Sequence, residues 1–149
     1  MIDATPRILI RPLPPGVEAG IDEAMIHELV HAFYTKLRAD GALGPIFSSI
    51  ITDWEPHLAK MCDFWSSMLL MTKRYQGRPV PAHVKIAGLE KPHFALWLAI
   101  FETTAHEICP PAAAALFVDR AHRVAQSLQL ALDFDRGILP PLKMPVRAG

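Results

Sequence analysis

Apolar residues recur along this chain at helical spacing. Between Ile21 and Ala39, the residues Ile26, Leu29, Val30, Phe33 and Leu37 stand at i, i+3, i+4, i+7 and i+11. At about 100° per residue they fall within about 100° of one another, a single stripe that predicts a helix with one face on a core. Asp22 is placed to cap it, and Gly41 lies just past its end. Gly44-Pro45-Ile46-Phe47 then predicts a turn. A second helix is expected from Thr52, where Thr52-Asp53-Trp54-Glu55 has the capping-box form, to about Thr72. Pro56 falls in its first turn, where a missing N–H costs little. Gly77, Pro79 and Pro81 predict an ordered loop, followed by a short helical turn carrying His83. A third helix is expected from Glu90 to Ile108, ended by Pro110-Pro111, and a fourth from Ala112 to Leu132. No segment alternates as a half-buried strand would, so the class is all-α.

Seven of the 14 prolines lie outside residues 20–132, in flanks without sustained periodicity. The expected layout is an N-terminal extension over 1–19, one helical domain over 20–132, and a Pro-containing tail over 133–149. A length of 149 residues suits a single domain, and 51% hydrophobic residues supply its core. Fifteen positive and fifteen negative side chains leave no net charge, which argues against nucleic acid or an acidic membrane as partner. No apolar run approaches the ~18 residues a membrane span needs. Arg7-Ile8-Leu9-Ile10-Arg11 is too short for the apolar part of a signal peptide. Cys62 and Cys109 have no metal-like spacing and read as buried small apolar residues in a reducing compartment. These features predict a cytoplasmic protein, and nothing in them demands an oligomer.

His27-Glu28-Leu29-Val30-His31 matches the H-E-x-x-H pattern of zinc proteases. Helical phase argues against that reading. From the centre of the apolar stripe, His27 lies about 100° away, His31 about 140° and Glu28 about 200°. The presumed ligands would point sideways into solvent, and no H-x-x-G-x-x-H extension follows. The pattern reads instead as a solvated helix face.

Other polar residues stand where apolar ones are expected. With His57 at 0°, Met61, Phe64, Met68 and Met71 all lie within about 40° of it, so one imidazole heads an apolar stripe. Trp97 shares its face with Phe94, Phe101, Thr104 and Ile108, and Tyr34 flanks the stripe of the first helix. Buried Tyr and Trp donors usually find a partner, so three polar tips among apolar walls suggest a small-ligand pocket. Taken alone, His57 is also what a core-edge histidine bonded to a backbone carbonyl looks like. His83 is likewise what an exposed loop histidine looks like.

The order and spacing of these pieces resemble the truncated haemoglobins, most closely their third group, from about Ile21 to Leu132. The resemblance is carried by Ala32-Phe33-Tyr34-Thr35-Lys36-Leu37-Arg38-Ala39-Asp40, Leu43-Gly44-Pro45-Ile46-Phe47 and Trp54-Glu55-Pro56-His57-Leu58-Ala59-Lys60. It continues through Phe64-Trp65, Met68-Leu69-Leu70, Tyr75-Gln76-Gly77-Arg78-Pro79, His83, and His93-Phe94-Ala95-Leu96-Trp97-Leu98 with Phe101-Glu102. It implies a two-over-two helical sandwich around a b-type haem held by non-covalent contacts. By the same resemblance, His83 is the proximal iron ligand and Phe47 packs on the haem face. Tyr34, His57 and Trp97 take the distal positions, and Met61 and Phe64 line the wall beside them. Trp65 packs at the haem edge or in the core, while Lys60, Tyr75 and Arg78 pair with the propionates.

The function this implies is reversible binding of O2, CO and NO at a five-coordinate ferrous iron, as in oxygen binding or transport. Dioxygen on ferrous iron takes up negative charge, so Tyr34 and Trp97 stabilise it as donors, whereas carbon monoxide gains less. Each good donor contributes about 1–3 kcal/mol in a dry pocket. His57, at its helix start, is placed to rotate between ligand and solvent as a gate. A redox enzyme using the same haem, a nitric oxide dioxygenase or peroxidase-like protein, is the alternative. It would need an external electron donor or reductase, since no dinucleotide motif is present. A haem-based sensor ranks below both, for want of an output domain. A bundle without cofactor would leave the placing of Tyr34, His57 and Trp97 to coincidence.

Overall fold

The computed structural model describes residues 12–76, 89–135 and 137. Its helices are α1 (Pro15–Glu18), α2 (Glu23–Ala39), α3 (Leu43–Ser48), α4 (Trp54–Leu70), α5 (Lys91–Ile108) and α6 (Pro111–Asp135). No strand occurs among the described residues. The architecture is all-α and globin-like, as expected. Helix α2 is the hub, packing on α3, α4 and α5, while α5 and α6 form a second pair.

The hub position of α2 follows from its stripe. Ile26, Leu29, Val30, Phe33 and Leu37 are all buried, and Tyr34 joins them. Each large apolar side chain so buried contributes about 1.5–3 kcal/mol. Asp22 caps the helix as anticipated, its carboxylate accepting from the Met25 N–H at 2.9 Å. Beyond the helix, Asp40 Oδ2 accepts from Ala42 N and Leu43 N at 2.9 and 2.8 Å and turns the chain. The expected turn at Gly44–Phe47 is therefore the helix α3, with Phe47 buried. Gly44 is required there, because a Cβ would press into the Arg38 carbonyl oxygen. Pro45 stands at its third position, where the N–H has no helical partner to lose.

Helix α4 starts two residues later than expected. Its N-cap is Asp53 rather than Thr52, and no side chain caps the first turn. It ends at Leu70 without a glycine, because Met71 adopts the left-handed conformation at φ 57°. Hydroxyls hold that turn: buried Ser66 Oγ donates to Glu23 Oε2 at 2.7 Å and lies 2.8 Å from Thr72 Oγ1. Arg74 closes the group on Glu23 at 3.3 Å, and Ser67 Oγ accepts from Tyr75 N at 2.8 Å.

Part of the expected extension is folded. Helix α1 packs on α4, and a Cβ at Gly16 would lie 2.7 Å from the Leu69 carbonyl oxygen. At the other end α6 runs to Asp135, three residues past the expected boundary. Its inner face carries Ala113, Ala114, Ala121 and Ala125 between Phe117, Leu128 and Leu132, so it approaches α5 closely. A Lys36–Glu107 ion pair joins α2 to α5, and being solvent-exposed it adds little. No described helix is long and apolar enough to cross a membrane.

Candidate functional site

Between α2, α3, α4, α5 and α6 lies an apolar cleft of about 750 Å3, counting the part open to solvent. Of the residues the sequence nominates, Tyr34, Phe47, Met61, Phe64, Trp65 and Trp97 line it. Three flat rings are stacked in one wall. Phe101 lies between Trp65 (5.2 Å, 13°) and Trp97 (5.7 Å, 10°), and Phe33 meets Trp97 edge-on at 5.4 Å. Trp65 is thus both a core residue and a wall residue.

The polar tips are Tyr34 and Trp97. No hydrogen bond to Tyr34 Oη or Trp97 Nε1 occurs among the described residues. Burial, with Cys62 adding to it, pushes the Tyr34 phenol well above its ordinary value, so it stays a protonated donor. His57 is half-buried and does not line the cleft. Its ring stands edge-on to Tyr34 at 5.2 Å and to Trp54 at 5.7 Å, both at 90°. Tyr34 and His57 are therefore neighbours, and Trp97 reaches Tyr34 through Phe33, which packs on the phenol at 4.9 Å.

Helix α4 buries its two apolar faces to different depths. Its fully buried residues are Trp65, Ser66 and Leu69, centred about 120° round from His57. The stripe of His57, Met61, Phe64 and Met68 is half-buried, with Met61 and Phe64 on the cleft. Met71, assigned to the same stripe, is 62% exposed because the helix ends before it.

Lys60 is exposed, and Tyr75 is half-buried with its ring edge-on to Phe64 at 5.3 Å. Arg78 and His83 lie outside the described residues. Cys109 is buried, whereas Cys62 is only half-buried, contrary to expectation. Burial raises both thiols above their ordinary values.

Sequence reasoning missed His93 as a lining residue. Its Nδ1 accepts from the Glu90 N–H at 2.9 Å, which in the neutral ring leaves the proton on Nε2 as a further donor. The signal was its position four residues before Trp97. The walls Phe33, Phe94, Phe101 and Leu128 carry no polar tip and look like core in any sequence.

The H-E-x-x-H residues stand apart from the cleft. His27 and Glu28 are exposed and His31 is half-buried. The two imidazoles stack with centroids 3.9 Å apart and planes 24° apart. Planes so nearly parallel converge far beyond the about 2 Å at which a shared metal would have to lie. His31 Nδ1 also donates to the His27 carbonyl at 2.9 Å.

A flat, largely apolar group with one polar reacting face suits this cleft: parallel rings for its sides, phenol and indole donors for the ligand it carries. The residues present therefore fit a porphyrin. No family model matches the chain. It is 32% identical over 113 residues to the group 3 truncated hemoglobin ctb of Campylobacter jejuni, a match covering 73% of this chain and 89% of that relative. It superposes on the crystal structure of a group III truncated hemoglobin from Campylobacter jejuni with a TM-score of 0.72 and 32% identity. That superposition covers 75% of this chain and 91% of the other. With a relative of this identity matched along most of its length, the chain belongs to the truncated haemoglobins, in their third group.

Proposed function

We infer that the protein is a b-type haem protein that reversibly binds small diatomic ligands. The observation that carries this reading is the pair of donors, Tyr34 and Trp97, facing a cleft whose lining is otherwise apolar except for His93, with no hydrogen-bond partner among the described residues. Donors on the wall of an apolar cleft are placed to meet whatever polar group enters it, so their expected partner there is a ligand. A ferrous porphyrin, when bound, supplies the open coordination position that O2, CO or NO occupies.

The chain's own residues then have separate duties. Phe47, Met61, Phe64 and Trp65 bury the apolar faces and exclude water. The Tyr34 O–H, held protonated by burial, and the Trp97 N–H donate to negative charge on the ligand. His57 stands outside Tyr34 on the way in. Lys60, Tyr75 and Arg78 are assigned to the propionates, and His83 to the iron, on the resemblance. Residues 20–132 are the haem-holding unit, with 1–19 and 133–149 flanking it.

An absorbance spectrum of the purified chain tests this directly. Loaded with hemin and reduced, it should show an intense haem band that shifts on adding carbon monoxide. His83→Ala should lose the haem or hold it only with added imidazole. A chain that takes up no hemin ends the reading, and a native five-coordinate spectrum in His83→Ala ends the assignment of the ligand.

A further inference from the structure

Trp54 has no part in the cleft lining, yet its ring packs on both Tyr34 and His57. It is the first residue of α4 and half-buried. The Arg38 guanidinium lies 4.5 Å above its ring. The same indole meets His57 at 5.7 Å and 90° and Tyr34 at 5.9 Å and 53°. Tyr34 and His57 meet each other at 5.2 Å and 90°, so the three rings close a triangle. Arg38 follows Tyr34 by one helical turn and is exposed. Arg38 is thus exposed, Trp54 and His57 are half-buried, and Tyr34 is buried with its side chain on the cleft.

We propose that Arg38 and Trp54 form a clamp that holds His57 against Tyr34 and so sets how fast a ligand enters the cleft between α2 and the start of α4. The entry step rests on the haem reading given above. The first turn of α4 has no side-chain cap, so packing on the indole takes over the orienting that an N-cap hydrogen bond would otherwise do. The ring face attracts the cation electrostatically, which fixes the indole from outside. The His57 ring stands perpendicular to two aromatic neighbours, and swinging outward breaks both edge-to-face contacts. Trp54 and Arg38 are thus positioning residues that act through His57. Removing the guanidinium lowers the cost of opening enough for about a two- to five-fold change, and removing the indole enough for about ten-fold.

Two measurements on the full chain decide it. Without haem, the His57 imidazole proton resonance, identified by its loss in His57→Gln, reports the ring currents of Trp54 and Tyr34. It should move in Arg38→Met and further in Trp54→Leu, while Arg38→Lys, which keeps the cation, restores most of the native position. With haem, carbon monoxide association after flash photolysis should quicken about two- to five-fold in Arg38→Met and about ten-fold in Trp54→Leu. Arg38→Lys should fall near the native rate. Native association rates in both Arg38→Met and Trp54→Leu overturn the clamp, and so does a native imidazole resonance in both. Arg38 is a surface residue, so its variants keep the test open if Trp54→Leu fails to fold. A chain that binds no haem sinks the earlier reading instead, and the imidazole resonance then decides alone whether the clamp exists.

Discussion

Helix α4 presents two faces of similar apolar character that are buried to different depths. On one, Trp65 is 5% exposed and Leu69 and Ser66 are fully buried against α1 and α2. On the other, His57, Met61, Phe64 and Met68 are all half-buried. The first face even satisfies its polar member, since Ser66 bonds both Glu23 and Thr72. The second leaves apolar surface on a cleft whose far wall includes Tyr34 and Trp97. The difference teaches that apolar periodicity marks a face to be covered, and depth of burial tells whether protein covers it. Where protein stops short, the packing is completed by a ligand's own apolar surface.

That contrast can be broken most sharply by truncating one residue on each face. Leu69→Ala should cost about 2–5 kcal/mol of folding stability, with or without haem. Phe64→Ala should cost the haem-free chain far less and weaken hemin retention strongly. Urea unfolding of both variants, run with and without hemin, separates the two. Equal losses in the haem-free chain would mean that the faces do not differ.

The next effect belongs to the donors opposite the half-buried face. Tyr34→Phe or Trp97→Phe should speed oxygen release about ten- to hundred-fold, and carbon monoxide release much less. Stopped-flow release rates for both gases provide the check, and equal acceleration of the two would remove that residue as a donor. Because the phenol titrates far above the physiological range, the Tyr34 contribution should stay constant from pH 6 to 9.

The smallest effect sits on the fully buried side, at the end of α5. Burial, with the Glu28 carboxylate adding to it, pushes the Cys109 thiol from an ordinary value of 9.0 up to about 11. The folded state then keeps a proton that the unfolded chain gives up. Stability from this group is full below pH 9 and falls as pH rises toward 11. Urea midpoints at pH 8 and 10.5 should draw closer together in Cys109→Ala than in the native chain. An unaltered gap would show that the thiol does not contribute.

Much of this was legible beforehand because it is local. The α2 stripe, its Asp22 cap and the face of α5 bearing Phe94, Phe101 and Thr104 all depend on spacing within one helix. Tyr34 and Trp97 stood out as donors on apolar faces, and the cleft does bring both to its wall. What failed was non-local. Gly44-Pro45 looks like a turn until Arg38 and Asp40 are seen to seat a helix against the end of α2. His57 was expected among the polar tips of the pocket, but it packs on Tyr34 and Trp54 and stays out of the cleft lining. His93 was hidden because a helix-starting histidine and a pocket histidine have the same sequence signature.

By itself the sequence determined the helices, their apolar faces and the identities of the donors, since each follows from spacing along one element. Only the tertiary structure decided how deeply each face of α4 is buried, and that His57 leans on Trp54 rather than lining the cleft. It also seated Gly16 against Leu69, which gave helix α1 a place in the fold. The physical reason is that periodicity is set within a helix, whereas burial depth and ring contacts are set by whatever a second helix brings alongside.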